Sequence, residues 1–173
     1  MKIKLAKKEI IHFVGIGGIG MSGLSLIMKG QGFQVQGSDI ANNKNIERLK
    51  KEKIKFFLGH SKKNLKDATI VVISSAIKNT NPELIEAKRK KIPIIKRGKM
   101  LASIVSLMKN IVVVGSHGKT TTTSLIASIF QETKIDPTII NGGVINSIKN
   151  TAKLGKSDWS ILEAVSYTHL TLP

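Results

Sequence analysis

Two glycine turns carry the residues whose types and spacing could do chemistry. In Gly115-Ser116-His117-Gly118-Lys119-Thr120 a lysine and a hydroxyl follow directly on a glycine, and Thr121, Thr122 and Thr123 extend the run to four threonines. Threonine is β-branched and loses side-chain freedom in a helix, so such a run is a poor choice for helix stability alone. It suits an ATP loop: backbone N–H groups surround phosphates, Lys119 meets the β and γ oxygens, and Thr120 offers a hydroxyl to Mg²⁺. The spacing departs from the standard Walker pattern, because Val113 stands where that pattern has its first glycine. Helical residues turn by about 100° each, so Thr120 and Thr121 can face a nucleotide while Thr122 and Thr123 turn to the sheet or solvent.

The earlier turn, Gly15-Ile16-Gly17-Gly18-Ile19-Gly20, has the Gly-x-Gly-x-x-Gly spacing after an apolar run. Glycines there permit a tight turn and close approach of a diphosphate to a helix N-terminus. Asp39 follows about twenty residues later, where a ribose or base contact would lie. Taken alone, this turn favours an NAD(P)-dependent oxidoreductase, or a tight turn with no ligand.

Both turns need strands before them and helices after them. Residues 10–14, 33–37, 54–58, 69–74 and 92–96 read as strands; 21–29, 45–51, 82–91 and 100–108 read as helices, with Asn81 as N-cap and Pro82 at the first helical position. This alternation predicts an α/β fold, a Rossmann-like parallel sheet with helices on its faces. The pattern restarts at "NIVVVGSHGK", with a helix over 119–131, strands at 137–140 and 158–164, and a glycine turn at 141–143. The expected organisation is therefore a Rossmann-like domain over 1–108 and the start of a P-loop α/β ATPase-type domain over 109–164. About 65 residues follow the boundary, short of the ~100 such a domain normally needs.

Bulk composition narrows the classes. The chain has 173 residues and a 41% hydrophobic content, enough to fill a core, and no cysteine, which suits a reducing cytoplasm. The apolar start is broken by glycines and lacks a small-residue cleavage site, so it reads as folded protein, and no stretch is long and apolar enough to span a membrane. The net charge of +17 raises a basic nucleic-acid-binding protein as another reading. The lysines, however, are scattered without aromatics to stack bases, and arginine occurs only at 48, 89 and 97. Solvated lysine faces are the expectation, with no nucleic-acid or membrane partner. The sequence does not fix an oligomeric state.

Together with "GSD" (37–39), "GH" (59–60), "VVISSAIKNTNPE" (71–83), "NGG" and a final "LEA", the two turns make residues 10–164 resemble the Mur ligases of peptidoglycan synthesis. The resemblance implies a cytoplasmic ATP-dependent ligase that joins L-alanine to UDP-N-acetylmuramate through an acyl phosphate. It implies that Gly15, Gly17, Gly18 and Gly20 face the UDP-sugar diphosphate, with Asp39, Ser74 and Ser75 at the nucleoside end. His60 either contacts substrate or packs; Arg97, in Arg-x-x-Met-Leu, either reaches substrate or lies on the surface. ATP is implied at Gly115, Ser116, His117, Gly118, Lys119, Thr120 and Thr121, with Lys119 and Glu163 catalytic and Mg²⁺ on Thr120 and Glu163. Ser116 replaces the usual threonine and keeps the hydroxyl. After Ala164 the family continues with an acidic run, whereas this chain reads "VSYTHLTLP". Residues 165–173 are therefore expected to be a non-native tail, and the chain an incomplete fragment that alone does not catalyse ligation.

Overall fold

The computed structural model describes residues 8–106, 108–133, 135–145, 150–153, 155 and 157–163. Ala164 and the 165–173 tail lie outside them. The chain divides into two compact units, Met1–Leu101 and Ala102–Pro173.

The first unit is built on a five-stranded sheet in the order β3-β2-β1-β4-β5. Its strands are β1 (Ile10–Val14), β2 (Gln34–Asp39), β3 (Lys55–Leu58), β4 (Ile70–Ile73) and β5 (Ile94–Lys96), all paired in parallel. Apolar, β-branched sequences such as IIHFV and IVVI suit strands covered on both faces. The helices α1 (Ile19–Gly30) and α2 (Lys44–Lys51) follow β1 and β2, and α3 (Pro82–Arg89) links β4 to β5. Because the strand order reverses between β1 and β4, right-handed crossovers put α1 and α2 on one face and α3 on the other. On the α3 face, Val14, Val71, Leu65, Leu84, Ala87 and Ala68 form one core cluster.

Local signals set the boundaries. Asn43 caps α2 by accepting from Ile46 N at 3.1 Å, and Asn81 caps α3 by accepting from Glu83 N at 2.8 Å, with Pro82 at the start as expected. A 3-10 turn at Lys62–Leu65, not anticipated from sequence, is capped by Ser61. The helix expected over 100–108 instead occupies Arg97–Val105 (α4), continuing from β5 without a linker. Asn110 Nδ2 donates to the carbonyls of Val105 and Met108 at 3.1 and 2.9 Å, which closes that end.

In the second unit β6 (Lys109–Val113), β7 (Thr138–Ile145), β8 (Asn150–Lys153) and β9 (Trp159–Glu163) form a sheet ordered β6-β9-β7-β8. Strands β6, β9 and β7 are parallel, but β8, which the sequence did not suggest, runs antiparallel to β7. The glycine turn expected at 141–143 is corrected: these residues continue β7, and the extra length appears as a register irregularity between Ile140 and Ile145. Helix α5 (Lys119–Gln131) has the expected bounds and packs Ala127 on Ile139 and Ile161.

Candidate functional site

The first turn sits at the C-terminal end of the parallel sheet, beside the point where strand order reverses. Open α/β sheets form their ligand crevices there. Gly15, at φ +80°, takes the chain out of β1, and its N–H donates to Ser38 O at 2.9 Å, joined by Ile16 N at 3.0 Å. The chain then enters α1 through Gly18, with no side-chain cap; Met21 N is taken by Gly18 O, and the start of the helix brings the positive end of its dipole to the turn, which favours an anion. Ser74, just after β4, borders the turn: a Cβ on Gly15 would stand 3.9 Å from Ser74 Cβ and 3.2 Å from Ile77. Ser74 Oγ accepts from Ala76 N, and Ser75 is exposed one residue on.

Asp39 is brought to the turn itself: its Oδ2 accepts from Gly17 N at 2.8 Å. Gly17 O in turn accepts from Asn43 and Asn45 at 3.2 and 2.8 Å. Arg97 reaches back over the start of α1, its Nη1 2.8 Å from where a Cβ on Gly20 would lie. A half-buried guanidinium thus borders the first turn of α1, a sign of charge that suits a diphosphate.

Beneath the turn lies a buried polar cluster that the sequence reading missed, except for His60. Glu83 is wholly buried at the start of α3, and its Oε2 accepts from Ser38 Oγ at 2.6 Å and lies 3.1 Å from His60 Nδ1. Its Oε1 accepts from Asn64 Nδ2 at 2.6 Å and lies 3.5 Å from Nε2 of the buried His12. Gln36 Nε2 donates to Asn64 O at 3.0 Å and meets His12 Nδ1 at 3.2 Å, which makes Nδ1 the acceptor and puts the His12 proton on Nε2, toward Glu83. Burial alone would push the Glu83 carboxyl up, but the neighbouring His12 and the hydrogen bonds from Ser38 and Asn64 hold it below its ordinary value. A lone histidine in the apolar IIHFV strand was the available signal; Glu83 itself looked like an ordinary first-turn acid.

The second turn is organised differently. Gly118, at φ +74°, is the N-cap of α5, and again no side chain caps the helix. Gly115, Ser116, His117 and Gly118 are exposed, and Lys119 folds back so that Nζ donates to Gly115 O at 2.6 Å and Ser116 O at 3.2 Å. Val113 pairs with Glu163 across β6 and β9, which sets that carboxylate beside the turn. Thr120 Oγ1 lies 3.1 Å from each carboxylate oxygen of Glu163, so the two residues expected to share a metal are in contact. Thr121 and Thr122 are exposed, whereas Thr123 is buried and its hydroxyl finds no partner among the described residues. Among those residues no cluster of His, Cys, Asp or Glu could hold a metal unaided. A hydroxyl and a carboxylate beside an ammonium instead fit Mg²⁺, which takes few protein oxygens and completes its shell with phosphates and water.

The sequence profile described as "Mur ligase family, catalytic domain" matches residues 10–109. The UDP-N-acetylmuramate--L-alanine ligase of Pelagibacter ubique (strain HTCC1062) is 79% identical over 95% of this chain and 35% of its own length. That of Bartonella bacilliformis is 50% identical over 95% of this chain and 34% of its own length. The crystal structure of UDP-N-acetylmuramate-alanine ligase MurC from Thermotoga maritima superposes with a TM-score of 0.76 at 32% identity, covering 88% of this chain and 36% of that one. The chain therefore spans about a third of the length of the curated relatives it matches. No helix among the described residues is long and apolar enough to cross a membrane.

Proposed function

This chain belongs to the Mur ligase family, and from that premise we propose that it is the substrate-binding and nucleotide-binding part of an ATP-dependent ligase that adds L-alanine to UDP-N-acetylmuramate in the cytoplasm. The observation that carries the reading is the presence of two phosphate turns of different chemistry in one chain. The first, at Gly15, Gly17, Gly18 and Gly20, brings the N-terminal end of α1 and Arg97 together beside a turn whose own amides are held by Ser38, Asp39 and Gly15, which suits the diphosphate of the UDP-sugar, with Asp39, Ser74 and Ser75 toward the nucleoside. The second, Gly115 to Thr121, adds an ammonium, a hydroxyl and a carboxylate, which suits ATP and Mg²⁺. An oxidoreductase would use the first turn and leave the second without a role.

In the reaction proposed, the lactyl carboxylate of the sugar attacks the γ-phosphorus of ATP and ADP leaves. The amine of L-alanine then attacks the resulting acyl phosphate, loses a proton and expels phosphate to leave an amide. Lys119 would leave its loop carbonyls to neutralise charge on the transferring phosphoryl group. Thr120 and Glu163 would hold Mg²⁺, which would supply neutralisation of phosphate charge when bound.

Calorimetric titration of the 173-residue chain tests the reading, with UDP-N-acetylmuramate as ligand and NADH as control. Heat from the UDP-sugar and none from NADH is the expected result. Heat from NADH alone would overturn it in favour of the oxidoreductase.

A further inference from the structure

The cluster around Glu83 is larger than packing requires. Burying a carboxylate is costly unless it is fully hydrogen-bonded, and an apolar residue on α3 would have continued the neighbouring core of Val14, Leu84 and Ala87. The chain instead ties three elements to this one group by hydrogen bonds, β2 through Ser38, the β3 end through His60 and the 3-10 turn through Asn64, with His12 Nε2 from β1 3.5 Å away. Ser38 is the link to the site, because its side chain is bound to Glu83 while its backbone carbonyl receives both Gly15 N and Ile16 N. The next residue, Asp39, receives Gly17 N. Three successive amides of the glycine turn are thus held by the end of β2, and the end of β2 is held by Glu83.

We propose that Glu83 is a positioning residue for the glycine turn: by anchoring the Ser38 side chain and His60 from below, it fixes the C-terminal end of β2 and so the path from β1 into α1. The proposal rests on the reading that this turn receives the diphosphate of a UDP-sugar. Glu83 does not touch the ligand. Its effect is transmitted through the Ser38 backbone, so it alters affinity by letting the turn relax. His60 is then neither a free packing histidine nor a substrate contact in the first instance; with Nδ1 directed at Glu83 and Ser38, it closes the cluster on its solvent side.

The test uses Glu83→Gln in the 173-residue chain, an isosteric change that removes the charge. UDP-N-acetylmuramate affinity should fall about tenfold, the size expected for losing a hydrogen bond to a charged group. Amide exchange at Gly15 and Ile16 should accelerate while exchange at Val71 and Val72 in β4 stays slow, and the ¹⁵N signature of the His60 Nδ1–H should change. Ser38→Ala keeps the backbone carbonyl and should cost about threefold. Combined with Glu83→Gln it should add little, because the two act through one link. Unchanged affinity in a folded Glu83→Gln protein overturns the proposal, as does exchange accelerated equally in β4 or full additivity of the two substitutions. Absence of UDP-sugar binding in the unsubstituted chain would refute the ligase reading instead. The exchange data would then decide the positioning role: selective acceleration at Gly15 and Ile16 supports it, and no change overturns it.

Discussion

The two glycine turns share a local grammar and differ in what stands behind them. Each leaves a parallel strand, turns through a glycine at positive φ and enters a helix with no side-chain cap. The first is held from below by a buried polar cluster and from the sides by Asp39, Asn43 and Asn45, and its cation, Arg97, comes from α4 and not from the turn itself. The second is exposed and carries its charge within the turn, where Lys119 rests on two of the loop's own carbonyls. A site for binding can be rigid and rely on backbone dipoles, whereas a site for phosphoryl transfer needs a mobile cation and an oxygen set for a metal. The same glycine turn thus stands on two different supports, and on the proposed reading the residues around it decide what a bound phosphate would meet.

The strongest way to break the comparison is Lys119→Ala. It should lower ligase turnover by about a hundredfold or more in a chain that carries the remaining two thirds of its relatives' length, and leave UDP-sugar affinity unchanged by calorimetry. Equal loss at both turns would mean that they are not separate sites. Gly17→Val probes the other side. An added Cβ would stand 3.0 Å from Asp39 Oδ2 and from Asn43 Nδ2 and 3.1 Å from Ile46, so UDP-sugar affinity should drop by at least about tenfold, with ATP binding intact. Normal affinity in that variant would remove the first turn from the site.

Smaller changes sharpen the contrast. Glu163→Gln should abolish the gain in ATP affinity on adding Mg²⁺, a change of about tenfold, since the neutral amide is a weak ligand for a hard cation. An undiminished Mg²⁺ response would show that Thr120 and Glu163 serve each other rather than a metal. At the low end of pH the first unit should respond through Glu83. Its folded-state pKa is lowered, so its ionised form stabilises the fold above the ordinary carboxylate range, and that contribution is lost as pH falls through the folded value. Glu83→Gln should therefore flatten the acid limb of the stability profile, read by circular dichroism. Thr123→Val should be the mildest: it removes a buried hydroxyl that has no partner among the described residues, and should stabilise the second unit by about 1 kcal/mol in denaturant unfolding.

Which parts were legible follows from range. The strands of the first unit, the Asn81–Pro82 helix start and the α5 bounds lay in local pattern, and so did the residues of both turns. The start of α4 was missed because no breaker separates it from β5, and the β7 glycines were read as a turn because a bulged strand uses the same residues. Thr120 and Glu163 were expected together only through the family resemblance; it is the pairing of β6 with β9 that joins them across 43 positions.

By itself the sequence determined two α/β units, each opening on a glycine turn between a strand and a helix, because glycine spacing and hydrophobic periodicity act over a few residues. Tertiary structure alone decided that Asp39 turns onto Gly17 N, that Arg97 borders the start of α1, and that Glu83 sits wholly buried among His12, Ser38, His60 and Asn64. Those contacts join residues distant in the chain, and a charge in a helix's first turn looks the same in sequence whether it faces water or lies beneath a sheet.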